Sequence, residues 1–153
     1  MLYRPYTPQD FVQLYTLEEA CFAPPERFGR RYMRQLVQRP QAATWIAEEA
    51  GRMAGFAIVV WTLGKSEMTA YLETIEVAPE ARGQGVGRAL LGHIEESARL
   101  AGSALIWLHV EAGNAGAIRL YEAQVYSCGG RQENYYPEGR AALIYVKRFE
   151  AGE

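Results

Sequence analysis

The longest apolar stretch of the chain, Ala54-Gly55-Phe56-Ala57-Ile58-Val59-Val60-Trp61, is nearly unbroken. Such a run predicts a central strand over 53–61, preceded by a partner strand over 43–49 and the turn Ala50-Gly51-Arg52. Elsewhere the apolar positions follow a helical period. Val86, Leu90, Ile94 and Ala98 stand four apart and predict a helix with one buried stripe, ended by Gly102. Phe11, Leu14 and Tyr15, with Leu17 and Cys21, make another stripe. Thr7-Pro8-Gln9-Asp10 starts that helix with a capping hydroxyl, a proline in the first turn and an acid. Phe22-Ala23-Pro24-Pro25 ends it, because two prolines cannot continue a helix. A short basic helix over 28–38, strands over 2–6, 71–77 and 104–111, a helix over 115–124 and closing strands over 126–136 and 141–149 complete the order β-α-α-β-β-β-α-β-α-β-β. This is an α/β (α+β) chain. No repeat or linker divides it, so 1–153 is expected to be a single domain.

With 153 residues, 49% hydrophobic and 22% charged, the composition is that of a soluble globular protein with a real core. A formal net charge of −2 gives no electrostatic case for nucleic acid. No apolar run reaches bilayer length, and Met1-Leu2-Tyr3-Arg4-Pro5-Tyr6 lacks a signal core. The expected location is cytoplasmic, away from membranes. Cys21 and Cys128 have no metal spacing and read as buried or incidental thiols, and no metal site is expected. Arg27, Arg30, Arg31, Arg34 and Arg39 read as a solvated face, with attraction of an acidic peptide as the alternative.

Chemistry enters at Glu80-Ala81-Arg82-Gly83-Gln84-Gly85-Val86-Gly87-Arg88, between a strand and a helix. The first amides of a helix lack intrahelical partners and carry the positive end of its dipole. Alternate glycines let a ligand approach that backbone, so the turn is suited to phosphate. A nucleotide P-loop needs Lys and then Ser or Thr after its last glycine, but Gly87 is followed by Arg88 and Ala89. A dinucleotide fingerprint needs glycine where Arg88 stands. The spacing of Arg82, Gly85 and Gly87 resembles the coenzyme A pyrophosphate loop of the GCN5-related N-acetyltransferase (GNAT) superfamily.

A second block is more specific: Leu108-His109-Val110, then Asn114-Ala115-Gly116-Ala117-Ile118-Arg119-Leu120-Tyr121-Glu122, then Asn134-Tyr135-Tyr136-Pro137. It is similar to the protein N-terminal acetyltransferases of that superfamily, including the RimI-like ribosomal-protein alanine N-acetyltransferases. The resemblance covers almost all of the chain past residue 40, and the earlier part matches mainly in pattern. It implies the GNAT fold: a central mixed sheet of about six or seven strands, splayed between the fourth and fifth and flanked by about four helices. It implies acetyl-CoA as cofactor and transfer of acetyl to a primary amine, first of all a peptide or protein N-terminus. Lysine side chains and small-molecule amines are the alternatives among enzymes. A coenzyme A-binding module without catalysis is the alternative outside them. The protein would be a monomer or homodimer. By position the resemblance gives Arg82, Gly83, Gln84, Gly85, Val86, Gly87 and Arg88 to the pyrophosphate. Ile75 and Val77 would pair with the pantetheine arm as an added strand does, and Asn114 and Tyr121 would also meet the cofactor. Phe22, Pro25, Tyr135 and Tyr136 would flank the peptide N-terminus.

Acetyl transfer needs a free amine and a proton for the departing thiolate. An α-amine titrates near 7.7–8.0 and a lysine near 10.4, so an N-terminal substrate needs only a mild base. His109, which shares a strand face with Leu105, Trp107 and Glu111, is the first candidate base. Its partner would be Tyr71 or Glu73, as strand register decides. Tyr121 would protonate the thiolate, although an inward aromatic on a helix is commonly core. Asn114 can cap its helix as well as meet a ligand. His93 reads as a surface residue, and at least one of Glu73 and Glu76 as solvent-exposed. The chain departs from the family where Leu-Gly-Phe is common: it has Gln124-Val125-Tyr126, and the missing glycine is expected to alter the turn. Ala141-Ala142 stand where an acidic pair is common, which points to a different substrate.

Overall fold

All the predicted elements are present in the predicted order in the computed structural model, which describes residues 1–150. They are β1 (Leu2–Pro5), α1 (Phe11–Cys21), α2 (Arg30–Gln38), β2 (Ala42–Glu49), β3 (Arg52–Leu63), β4 (Met68–Val77), α3 (Val86–Leu100), β5 (Ser103–Glu111), α4 (Ala115–Ala123), β6 (Ser127–Gln132) and β7 (Ala142–Arg148). The strands form one 7-stranded sheet in the order β1-β2-β3-β4-β5-β7-β6. Among the described strands only β4 and β5 are parallel, and α3 makes the crossover such a pair requires. β7 inserts between β5 and β6, so the last hairpin does not add in chain order.

The parallel pair is short. Cα partners run from Met68 and Ser103 to Tyr71 and Trp107, while β4 continues to Val77 and β5 to Glu111. This is the splay that the family resemblance implied. Its local cause is a bulge: Val59 is opposite Leu72 but Ile58 is opposite Thr74, leaving Glu73 as the extra residue. A bulge bends its strand and increases its twist, and this one follows Tyr71 closely.

Strand alternation sends neighbouring residues to the two sheet faces. On one face Trp45 stacks on His93 of α3 at 4.3 Å and donates Nε1–H to Ser97 Oγ at 2.9 Å. Tyr3 also stacks on His93, at 5.4 Å, so this half-buried histidine is not a free surface residue. On the opposite face Arg4 donates to Asp10 and Glu48, each at 2.8 Å, which ties β1 and β2 to the start of α1. Phe11, Leu14, Met33 and Leu36 from α1 and α2 and Leu90, Leu91 and Ile94 from α3 are buried. A Cβ on Gly55 would lie 2.6 Å from the Glu76 carbonyl and 3.3 Å from Leu90, so only glycine fits under α3 there.

Four further expectations need correction. The second helix starts at Arg30, after Gly29, and not at 28. β6 stops at Gln132, short of 136, because the chain turns at Asn134 with φ of 55°. Glu76 is 3% exposed and Glu73 is half-buried, so neither is a free surface acid. The turn after α4 keeps a left-handed residue without glycine: Val125 takes φ of 72°, and Tyr126 N–H still bonds the Tyr121 carbonyl at 3.0 Å. Among the described residues no helix is long and apolar enough to cross a membrane.

Candidate active site

The separation of β4 and β5 opens a cavity of ≈ 690 Å³. Tyr71, Glu73 and Ile75 reach it from β4, His109 and Glu111 from β5, and Asn114 and Tyr121 from the region of α4. Phe22, Tyr135 and Tyr136 complete the wall, whereas the predicted Pro25 stands exposed in the α1–α2 loop outside this lining.

The Tyr71 hydroxyl is 2.8 Å from His109 Nδ1. Burial, reinforced by Tyr135, pushes that hydroxyl well above the usual tyrosine range, so Tyr71 remains protonated and can donate to Nδ1. With Tyr71 donating, Nδ1 is the acceptor, which puts the ring proton on Nε2, 3.1 Å from Gln132 Oε1. The Tyr135 ring stacks on the imidazole at 4.2 Å. Register therefore pairs Tyr71, and not Glu73, with His109. Glu73 accepts instead from the Tyr32 hydroxyl of α2 at 2.9 Å. Burial, and then this carboxylate, pushes Tyr32 up to about 12.

Tyr121 is 5% exposed, and burial pushes its hydroxyl upward, so it too keeps its proton. Asn114 caps α4, its Oδ1 accepting from Ala117 N–H at 3.1 Å, which leaves the amide NH₂ for the cavity it lines. On β4, Ala78 N–H donates to the Ala54 carbonyl at 2.8 Å. Alternation then turns the backbone groups of Ile75 and Val77 away from β3, toward the open split.

The glycine turn follows. Gly83 and Gly85 have φ of 75° and 80°, and a Cβ on either would meet nothing within 4 Å. Gly85 caps the 15-residue α3, and the first bond of that helix is Ala89 N–H to the Gly85 carbonyl at 3.1 Å. The amides of Val86, Gly87 and Arg88 precede it and point outward as helix-start amides do. A Cβ on Gly87 would lie 3.6 Å from Leu120 and 3.8 Å from Val77, so α3 begins where α4 and β4 meet. The Arg82 guanidinium is engaged with the protein itself, donating to the Val77 carbonyl at 3.0 Å.

Three features have no counterpart in the sequence reading. Gln132 bonds His109. Arg140 forms ion pairs with Glu26 and, at 3.0 Å, with Glu111, which joins the α1–α2 loop, the end of β5 and the β6–β7 connection across the cavity. Glu18, 1% exposed, and Glu76 form a buried carboxyl pair. Glu18 accepts from Phe28 N–H at 2.9 Å and Glu76 from Thr74 Oγ1 at 2.8 Å. Each keeps one oxygen with no other partner, as a proton shared between the two carboxyls requires. Burial, and then Glu18, pushes Glu76 up to about 10. The helical stripe of α1 hinted at Glu18 only by placing it beside Leu14 and Leu17; the other contacts arise from chain segments distant in sequence.

Residues 11–125 match the sequence profile of the acetyltransferase (GNAT) family. Over 98 residues the chain is 42% identical to the ribosomal protein bS18-alanine N-acetyltransferase of Escherichia coli strain K12. That match spans 63% of this chain and 64% of the relative, less than two thirds of its length. The chain is 38% identical over 105 residues to the streptothricin acetyltransferase of Streptomyces lavendulae, covering 65% of this chain and 54% of that protein. Among solved structures, the ribosomal-protein-S18-alanine N-acetyltransferase from Escherichia coli superposes with a TM-score of 0.84 at 29% identity, covering 99% of this chain and 96% of that one. Strand order, the splayed parallel pair and the glycine turn agree with the profile match, and the chain belongs to the acetyltransferase (GNAT) family.

Proposed function

We propose that the protein is an acetyl-CoA-dependent N-acetyltransferase that acts on the α-amine of protein N-termini, as one cytoplasmic domain over 1–153. The observation that carries this reading is the Tyr71–His109 pair in the β4–β5 split, with Tyr121 lining the same cavity.

The turn fits a pyrophosphate: the space beside Gly83 and Gly85 is open, and the amides at the start of α3 point outward. Residues from Gly83 to Arg88 would hold that group, with Arg82 bracing the turn against Val77. The backbone of Ile75 and Val77 would pair with the pantetheine arm, and the Asn114 amide would donate to the cofactor. When bound, acetyl-CoA supplies the activated acetyl group. Tyr71 takes the amine proton at its Oη as it passes its own proton to His109 Nδ1, so no tyrosinate forms in a site that disfavours one. Tyr121 holds a proton at its hydroxyl for the departing sulfur. Glu73 stays on Tyr32 and shapes the cavity wall. Phe22, Tyr135 and Tyr136 flank the incoming N-terminus.

The bS18-alanine relative supports an N-terminal substrate. The streptothricin relative favours a second reading, a small-molecule amine. Acetyl transfer to peptides with varied first residues, measured beside lysine peptides and small amines, separates the two. Turnover of N-terminal α-amines above the other classes is expected, and turnover of small amines alone would overturn the N-terminal reading.

A further inference from the structure

His109 has two hydrogen-bond partners on opposite ring nitrogens, and only Tyr71 has a place in the proposed proton transfer. The other, Gln132, comes from β6, which is separated from β5 by β7. Register explains how it arrives. Ala142 of β7 is opposite Gln132 on one side and Glu111 on the other, while His109 is opposite Ile144. These residues share one sheet face by alternation. The Gln132 side chain crosses the row at the smallest of them, Ala142, and meets Nε2 at 3.1 Å. A larger side chain at 142 would stand in that path.

We infer that Gln132 is a positioning residue that fixes His109 in the Nε2–H tautomer and so aims the Nδ1 lone pair at Tyr71. The groups facing the ring are the Tyr71 hydroxyl from β4, Tyr135 from beyond β6, Ile144 from β7, Trp107 and Glu111 from β5, and Gln132 from β6. Glu111 is paired with Arg140, and Glu73 with Tyr32, so neither carboxylate is free to fix the tautomer. A neutral amide oxygen accepts from Nε2–H whether the ring carries one proton or two. It therefore holds the tautomer without trapping the ring in its charged form, as a carboxylate would. The ring can take a proton from Tyr71 and release it afterwards.

The kinetic consequence rests on the proposed N-acetyltransferase reading, whereas the tautomer does not. ¹⁵N NMR of the whole protein, labelled at histidine, reads the tautomer directly, and Nε2–H is expected. Gln132→Met should give a mixed tautomer and a kcat lower by about 5- to 10-fold, with the KM for acetyl-CoA unchanged. Gln132→Asn, one methylene too short, should behave in the same way and serves if Gln132→Met does not fold. Gln132→Glu should keep the tautomer and move the acid limb of the pH–rate profile upward by about one unit. A Gln132→Met protein with the parental tautomer, kcat and pH profile would overturn the inference. If the unmodified protein acetylates no amine, the functional reading fails, and the NMR result still decides the role of Gln132.

Discussion

Tyr71 and His109 are 38 residues apart in sequence, yet the hydroxyl of one lies 2.8 Å from Nδ1 of the other. The contact sits at the end of the short parallel pairing, where β4 and β5 begin to diverge. Tyr71→Phe removes the atom that would receive the amine proton, and His109→Gln removes the base behind it. Each should lower kcat by about 100-fold, in the range of general-base contributions, and leave acetyl-CoA affinity unaltered. The double variant should be little worse than either single one, because the two act as one unit. Multiplicative losses in steady-state kinetics would show that they act independently.

In the proposed reaction Tyr121, which lines the cavity, serves the leaving group and not the amine. Tyr121→Phe keeps the buried ring, so the fold and the binding of acetyl-CoA, measured by calorimetry, should be preserved. Turnover should fall by about 10- to 100-fold. Because a thiol of low pKa leaves without help, the loss should shrink with acetyl donors of more acidic thiols. An equal loss with every donor would assign Tyr121 to packing.

The Glu18–Glu76 pair makes stability depend on pH. The Glu76 carboxyl rises from 4.5 to about 10 on folding, so between those values the folded chain holds a proton that the unfolded chain has lost. The stabilisation is complete below the unfolded pKa and is lost as pH rises through the folded one. Glu76→Gln can donate to Glu18 at any pH and does not titrate there. The variant should melt higher than the parent, by a margin that is wider at pH 9 than at pH 6. Thermal melts with the same margin at both values would count against the shared proton.

Val125 carries φ of 72° with 74% exposure, a β-branched residue in a left-handed conformation with little packing in return. Val125→Gly should stabilise the protein by about 1 kcal/mol, the cost of the left-handed region to a residue with Cβ. Denaturant melts would register the gain as a higher midpoint with an unaltered slope. A lower midpoint would mean that the flexibility glycine adds to the unfolded chain outweighs the relieved strain.

Much of the scaffold is visible in the chain because its signals are local. The four-residue spacing of Val86 to Ala98, the apolar run ending at Trp61 and the prolines at 24 and 25 each mark one element without reference to another. The glycine turn is legible for the same reason. The sequence narrows the partner of His109 to two residues, and the structure decides between them: the Tyr71 hydroxyl reaches Nδ1 at the last paired position of β4, while Glu73 is held by Tyr32. Gln132, Arg140 and Glu18 carry no such mark. Gln132 reaches its partner only because β7 folds between β5 and β6, and a polar residue in a Gly-rich strand gives no hint of it. Glu76 shows the opposite failure: a charged residue reads as solvated until a second buried carboxyl, from a distant helix, is found beside it. Val125 shows a third. A missing glycine predicts a changed turn, but hydrogen bonds at both ends of the loop hold the conformation at the expense of strain.

The insertion of β7 also sets the order in which the protein can be assembled. Among the described residues β6 hydrogen-bonds to no strand except β7, so its place in the sheet does not exist until Ala142–Arg148 has docked on β5. During synthesis the β1–β4 layer and α3 can condense while the chain is still growing, since their contacts lie earlier in the chain. The wall that carries Gln132 must wait for the closing strand, which comes after every other strand of the sheet in the chain. A chain halted before that strand would present the split between β4 and β5 with an exposed apolar edge and an unaligned His109. The proposed acetyl transfer would thus become available only once β7 and β6 have joined the sheet.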